Sequence, residues 1–150
     1  MELNEDQRAW NRMVFNCHQL AVLPQSDRHH AVGCAGAFMC ISGNGGIYGF
    51  LESCAELDPR DVVGSLQAIG AAKAASQLSF VLEGLGGELA DFSPDIREQM
   101  LLDRWPESWG NDEETVTAEA ERELTQCLER EVSADREFYL SLAEPSWPSD

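Results

Sequence analysis

A chain of 150 residues suits one domain and is long enough to bury roughly 68–70% of the surface its unfolded form would expose. Its 43% hydrophobic content argues against a disordered chain, and a formal net charge of −17, from 27 acids against 10 bases, repels nucleic acid and anionic membrane. Solubility needs only about 2–8 net charges on a small domain, so the surplus points to a basic partner.

The opening "MELNEDQRAW" is acidic and polar, which is not the pattern of a signal peptide. Residues 5–20 set Ala9, Arg12, Met13, Asn16 and Leu20 at spacings of three and four, predicting an amphipathic helix that "LPQSDRHH" breaks at Pro24. Val32, Ala35, Phe38, Met39 and Ile41 predict a short, mostly buried helix over 31–41. From Ala31 to Leu51 no residue is charged, a length that suits a bilayer span. Gly33, Gly36, Gly43, Gly45, Gly46 and Gly49, with Ser42 and Asn44, interrupt it, so two buried helical pieces are expected instead.

The stretch "ISGNGGIYGF", residues 41–50, has the glycine content of a phosphate cradle. A P-loop places lysine directly after its last glycine, but Ile47 and Tyr48 follow Gly46, and no basic residue stands between Arg28 and Arg60. No strand precedes it for a dinucleotide fingerprint. Asn44, Gly45 and Gly46 are therefore read as a structural turn, with Gly43 to Gly46 reversing the chain and at least one residue at positive φ.

In "LDPRD", Asp58 caps a helix, Pro59 opens it and Asp61 faces its positive end. Val62, Val63, Leu66 and Ile69 supply its apolar face, and the alanine-rich "GAAKAASQLSFVLEGLGG" continues to Gly84, Gly86 and Gly87. "FSPDIREQMLLDRW" repeats the start signal with Ser93 and Pro94, and Pro106 ends it. The longest predicted helix covers roughly 112–131, a shorter one 134–143, and "EPSWPSD", from about residue 144, is expected to be extended. Alternating Val/Ile/Thr runs are missing. The expected fold class is all-α, a single compact multi-helix domain over residues 1–150.

Residues 36–85 carry Asn44, Gly45, Gly46, Tyr48 and Phe50, then Leu66, Ile69, Gly70 and Ala71. This pattern resembles a family of small acidic bacterial proteins, a domain of unknown function whose best-known member is a DNA mimic. Ile47 stands where that family carries an aromatic residue. The resemblance implies an all-helical fold, a capacity to form homodimers and occupation of a DNA-binding protein's site.

Negative charge is concentrated late in the chain. Residues 107–150 hold 13 acids and 3 arginines, a net of −10. Over 112–131, Val116, Ala120, Leu124, Cys127 and Leu128 form an apolar stripe. Asp112, Glu119 and Glu123 border it on one side, and Glu114, Glu121 and Glu129 on the other. With Glu113 and Glu131 the segment carries 8 acids, reduced to a net −6 by Arg122 and Arg130. Its length as a helix is about 30 Å, over which one DNA strand carries about 9 phosphates. The line densities lie within a factor of two of each other.

Five cysteines, Cys17, Cys34, Cys40, Cys54 and Cys127, include no Cys-x-x-Cys pair and fit reduced thiols in a cytoplasmic protein. A zinc set drawn from Cys17, His18, Cys34 and Cys40 has no anchoring spacing. Cys17 and His18, adjacent on a helix, point about 100° apart and make no nucleophile pair. Trp10, Trp105, Trp109 and Trp147 are expected to pack, Trp105 and Trp109 flanking Pro106, the alternative being that an exposed member anchors an interface.

The leading expectation is a non-enzymatic binding protein that occupies the basic site of a nucleic-acid-binding protein, as a DNA mimic, inhibitor or immunity protein. It would touch neither nucleic acid nor membrane and need no cofactor or metal. Asp112, Glu113, Glu114, Glu119, Glu121, Glu123, Glu129 and Glu131 would form its partner-binding surface. Two alternatives stand beside it: a small metal-dependent hydrolase with a site near His18, His29 and His30, and an acidic helical scaffold with no electrostatic partner.

Overall fold

The computed structural model describes residues 2–23, 26–54, 56–86, 89, 91, 93–109 and 115–146. Seven α-helices, a short 3-10 turn at Glu107–Trp109 and no strand occur among them, making a single all-α domain.

Helix α1, Glu5–Val22, starts where Asn4 and Gln7 cap each other: the Gln7 N–H donates to Asn4 Oδ1 at 2.8 Å, and the Asn4 N–H donates to Gln7 Oε1 at 2.9 Å. Ala9, Met13, Asn16 and Leu20 line its buried face, as their spacing predicts; Cys17 joins them, and Arg12 is half-buried.

Helix α2, Asp27–Ser53, overturns the short helix expected at 31–41. Ser26 caps it, and the polar first turn joins the helix because tertiary partners hold it. Arg28 pairs with Glu131 at 2.8 Å, His29 with Asp135 at 2.7 Å and His30 with Asp61 at 2.7 Å. Ala31 to Phe38 are all buried, because α2 runs through the centre and packs on α1, α3, α5 and α6. A helix enclosed on every side is apolar all round. This explains the uncharged run, and no helix among the described residues is long and apolar enough to cross a membrane.

The expected turn at Asn44, Gly45 and Gly46 contracts to one residue. Asn44 and Gly45 stay helical and exposed, and only Gly46 leaves helical geometry, at φ 68° and ψ −170°. That region is open essentially to glycine alone. The resulting kink re-aims the helix so that Ile47, Phe50 and Leu51 are fully buried.

Helix α3, Pro59–Ala68, begins as predicted, with Asp58 Oδ1 accepting from the Arg60 N–H at 2.9 Å. The apolar pattern that continues into the alanine-rich segment divides at Gly70, φ 91°, and α4 follows as Ala72–Leu85. Ala71 offers no side-chain cap. Glu123 substitutes for one: its Oε1 accepts from the Lys73 N–H at 2.8 Å, placing a carboxylate at the positive end of α4.

Helix α5, Pro94–Arg104, has Ser93 at the N-cap without a side-chain capping hydrogen bond. It carries Arg97, 1% exposed, into the interior. There Nη1 donates to the Leu51 and Cys54 carbonyls at 3.4 and 3.2 Å, closing the C-terminal end of α2. After α5, Tyr48, Trp105, Trp109 and Phe80 make a chain of ring contacts 5.1 to 5.6 Å apart, the packing expected of Trp105 and Trp109.

The acidic helix is shorter than its charge pattern suggests. Helix α6, Ala118–Ala134, starts at the Thr117 cap and not near residue 112, and α2 rather than α6 is the longest helix. A cap followed closely by an apolar stripe decides where a helix starts: the Thr117 hydroxyl accepts from the Ala120 N–H at 3.2 Å, and the buried stripe of α6 begins at Ala120. Helix α7 is only Arg136–Leu140, within the predicted 134–143. Beyond it, Arg12 donates to the Leu140 and Leu142 carbonyls and pairs with Glu144, while Asn16 Nδ2 donates to the Ala143 carbonyl at 2.9 Å. These contacts fasten the segment after α7 to α1.

Candidate functional site

The expected partner-binding carboxylates separate into three groups. Asp112, Glu113 and Glu114 lie outside the described residues. Glu119, Glu123 and Glu131 are engaged within the chain: Glu119 with Lys73 Nζ at 3.4 Å, Glu123 as the cap of α4, and Glu131 with Arg28. Glu121 and Glu129 are exposed on α6. They lie about 12 Å apart along the axis and about 80° apart around it. Ala120, Leu124, Cys127 and Leu128 are buried as the predicted stripe requires, and Val116 is half-buried ahead of the helix.

Glu129 borders a concavity that its own helix does not explain. Between α1 and α6 lies an open groove of about 490 Å³, lined by Asp6, Gln7, Trp10, Glu129, Val132 and Ser133, among others. Trp10 is half-buried at its wall, and the carboxylates of Asp6 and Glu129 flank it. Asp6 is held by Arg136 at 3.2 Å. The groove combines a ring surface with negative charge, a pairing that suits a cationic or amphipathic side chain.

His18, His29 and His30 do not converge. His18 meets Glu56 at 2.5 Å near the end of α2. His29 lies face to face with Phe138, ring centroids 3.5 Å apart, and bonds Asp135. The hydrolase site expected near the three imidazoles is thus not assembled by them. A different set is assembled: His30 and Cys34, one turn apart on α2, and Asp61 from the first turn of α3. One ligand atom from each lies within 4.8 Å of the other two, with Cys34 Sγ 3.5 Å from His30 Nε2. Burial pushes the Cys34 thiol up to about 11; the Ser65 hydroxyl opposes that shift and the Asp61 charge adds to it.

The zinc set drawn from Cys17, His18, Cys34 and Cys40 is likewise divided. Cys17 and Cys40 face each other between α1 and α2 and share a hydrogen bond. That bond holds Cys40 below the ordinary thiol range, at about 7, against the opposing effect of its own burial. The same contact, together with burial, pushes Cys17 up. Cys40 is half-exposed at an open concavity of about 400 Å³ that also borders Asn44, Gly45 and Gly49.

The His30–Cys34 spacing of four was available in the sequence as two ligands on one helical face, whereas Asp61 arrives only through the packing of α2 on α3. Trp10 in the α1–α6 groove carried no pattern signal of its own. No protein-family model, curated protein or solved structure was found to match the chain.

Proposed function

We propose that the protein is a non-enzymatic acidic binding protein that occupies the basic site of a nucleic-acid-binding protein, as a DNA mimic, inhibitor or immunity protein. The observation that carries this reading is the groove between α1 and α6, where Trp10 sits beside Asp6 and Glu129 within a chain of net charge −17. Complementary potential accelerates encounter with a cationic partner, and a tryptophan ring that loses its water on docking supplies the specific contact that charge alone lacks. Glu121 extends the negative surface along α6 away from the groove. Glu119, Glu123 and Glu131 serve the fold first, so their charge adds to the long-range field more than to direct contacts.

The test is capture of partners on the immobilised protein from its native host, repeated with competing duplex DNA and across a salt series. A captured DNA-binding protein that DNA displaces, with affinity falling steeply as salt rises, supports mimicry. Charge reversal at Glu121 and Glu129 is expected to weaken that capture by at least about tenfold, equivalent to about 1.4 kcal/mol. Capture that neither DNA, salt nor charge reversal alters overturns the reading.

A further inference from the structure

We propose that His30, Cys34 and Asp61 form a zinc(II) site with one exchangeable position, independent of the acidic docking surface. Three different donor types meet there from two helices. The imidazole and thiol are set by the four-residue repeat of α2, and the carboxylate is delivered by α3, whose start Asp58 and Pro59 define. In a tetrahedral zinc centre, with metal–nitrogen distances of about 2.0–2.1 Å and a metal–sulfur distance of about 2.3 Å, the nitrogen and sulfur ligands lie about 3.6 Å apart. Cys34 Sγ and His30 Nε2 stand at 3.5 Å. Nitrogen and oxygen ligands in such a centre lie about 3.3 Å apart, against 2.7 Å between His30 and Asp61. Closure therefore needs the His30–Asp61 separation to widen by about 0.6 Å, and the Asp61 side chain that would move is 53% exposed on a helical first turn.

The graded burial of the three groups also fits an ion. Cys34 is fully buried, His30 has a side chain 32% exposed, and Asp61 faces solvent. Three protein ligands with a solvent-facing fourth direction is the arrangement of zinc centres that keep a water or an incoming donor, whereas closed structural sites use four protein ligands. Thiolate with imidazole selects zinc over magnesium or calcium, which take oxygen donors. The hydroxyl of Ser65, buried on α3, favours the thiolate form of Cys34. Neither of the other two histidine–carboxylate pairs belongs to a described group of ligand atoms that includes a thiol. On binding, a metal–sulfur bond forms and the Cys34 proton passes to solvent, while His30 binds as neutral imidazole.

The experiment uses the full chain, reduced and stripped with chelator, titrated with cobalt(II) as the optical probe and then with zinc(II). The expected result is one equivalent of cobalt, with a thiolate-to-metal charge-transfer band and the visible absorption of a tetrahedral ion, both abolished as zinc displaces it. Cys34→Ser removes the charge-transfer band, and Asp61→Asn, on the surface and away from the core, weakens binding by about tenfold or more. His18→Gln leaves both unchanged. Absence of the band, its persistence in Cys34→Ser, or full affinity in Asp61→Asn overturns the site. Weak binding of several ions without a sulfur band identifies surface carboxylates and overturns it equally.

Discussion

Cys40 illustrates how a single contact gives a side chain chemistry that its residue type does not announce. A free thiol has its ordinary value near 8.5, but the Cys17 hydrogen bond favours the Cys40 thiolate and brings it to about 7. Alkylation requires the thiolate, so its rate at Cys40 rises with pH to half its maximum near 7, well before ordinary thiols react. Cys17, buried and shifted the opposite way, stays inert across that range. Mass-spectrometric mapping of iodoacetamide adducts against pH measures both, and Cys17→Ala is expected to return the Cys40 midpoint toward the ordinary value. Equal labelling of the two residues contradicts the pairing. Arg97 teaches the same lesson from the interior. A charged residue between Ile96 and Glu98 reads as surface, and the open carbonyls at the end of α2, with the Asp58 charge, help to make a buried guanidinium tenable.

At the scale of helices, the crossing of α1 and α2 depends on the absence of one side chain. A Cβ added at Gly33 would stand 2.6 Å from the Ala21 nitrogen and 2.7 Å from the Leu20 carbonyl carbon, both backbone atoms that cannot move without displacing α1. Gly33→Ala is expected to destabilise the fold by about 1–3 kcal/mol. Gly43, on the same helix, has open space around its Cβ position, and Gly43→Ala is expected to be neutral or stabilising by about 0.5–1 kcal/mol through helix propensity. Urea unfolding of the two variants distinguishes a packing constraint from a general dislike of alanine in α2. Similar losses in both would remove the crossing from the explanation. The cap at Asp58 was legible because it satisfies a nearby backbone N–H. The cap of α4 was not, since Glu123 reaches it from another helix.

For the molecule as a whole, charge opposes compactness. Arg12, Arg28, Arg60, Lys73 and Arg136 have carboxylate partners, mostly in exposed pairs worth about 0–1 kcal/mol each. They leave a formal net of −17 to repel itself. Raising salt from 0.01 to 0.15 M shortens the screening length from about 30 to about 8 Å, so the melting temperature is expected to rise. Calorimetry at pH 7 in a salt series checks this, and a falling melting temperature would mean that the ion pairs outweigh the repulsion. The same screening weakens the proposed partner association, so stability and affinity are expected to move in opposite directions with salt.

Composition, the 3.6-residue apolar period and local caps were enough to establish an all-helical chain, the start of α3, the positive-φ glycine within residues 43–46 and the buried stripe of α6. Each of these depends on residues within one or two turns of one another. Tertiary structure alone decided that α2 begins as early as Asp27 and continues beyond its Gly46 kink to Ser53, that three acids of α6 are drawn into contacts with α2 and α4, and that Asp61 meets His30 and Cys34. Those outcomes depend on which surfaces of distant helices pack together, and a one-dimensional pattern specifies which face of a helix is buried but not which neighbour buries it.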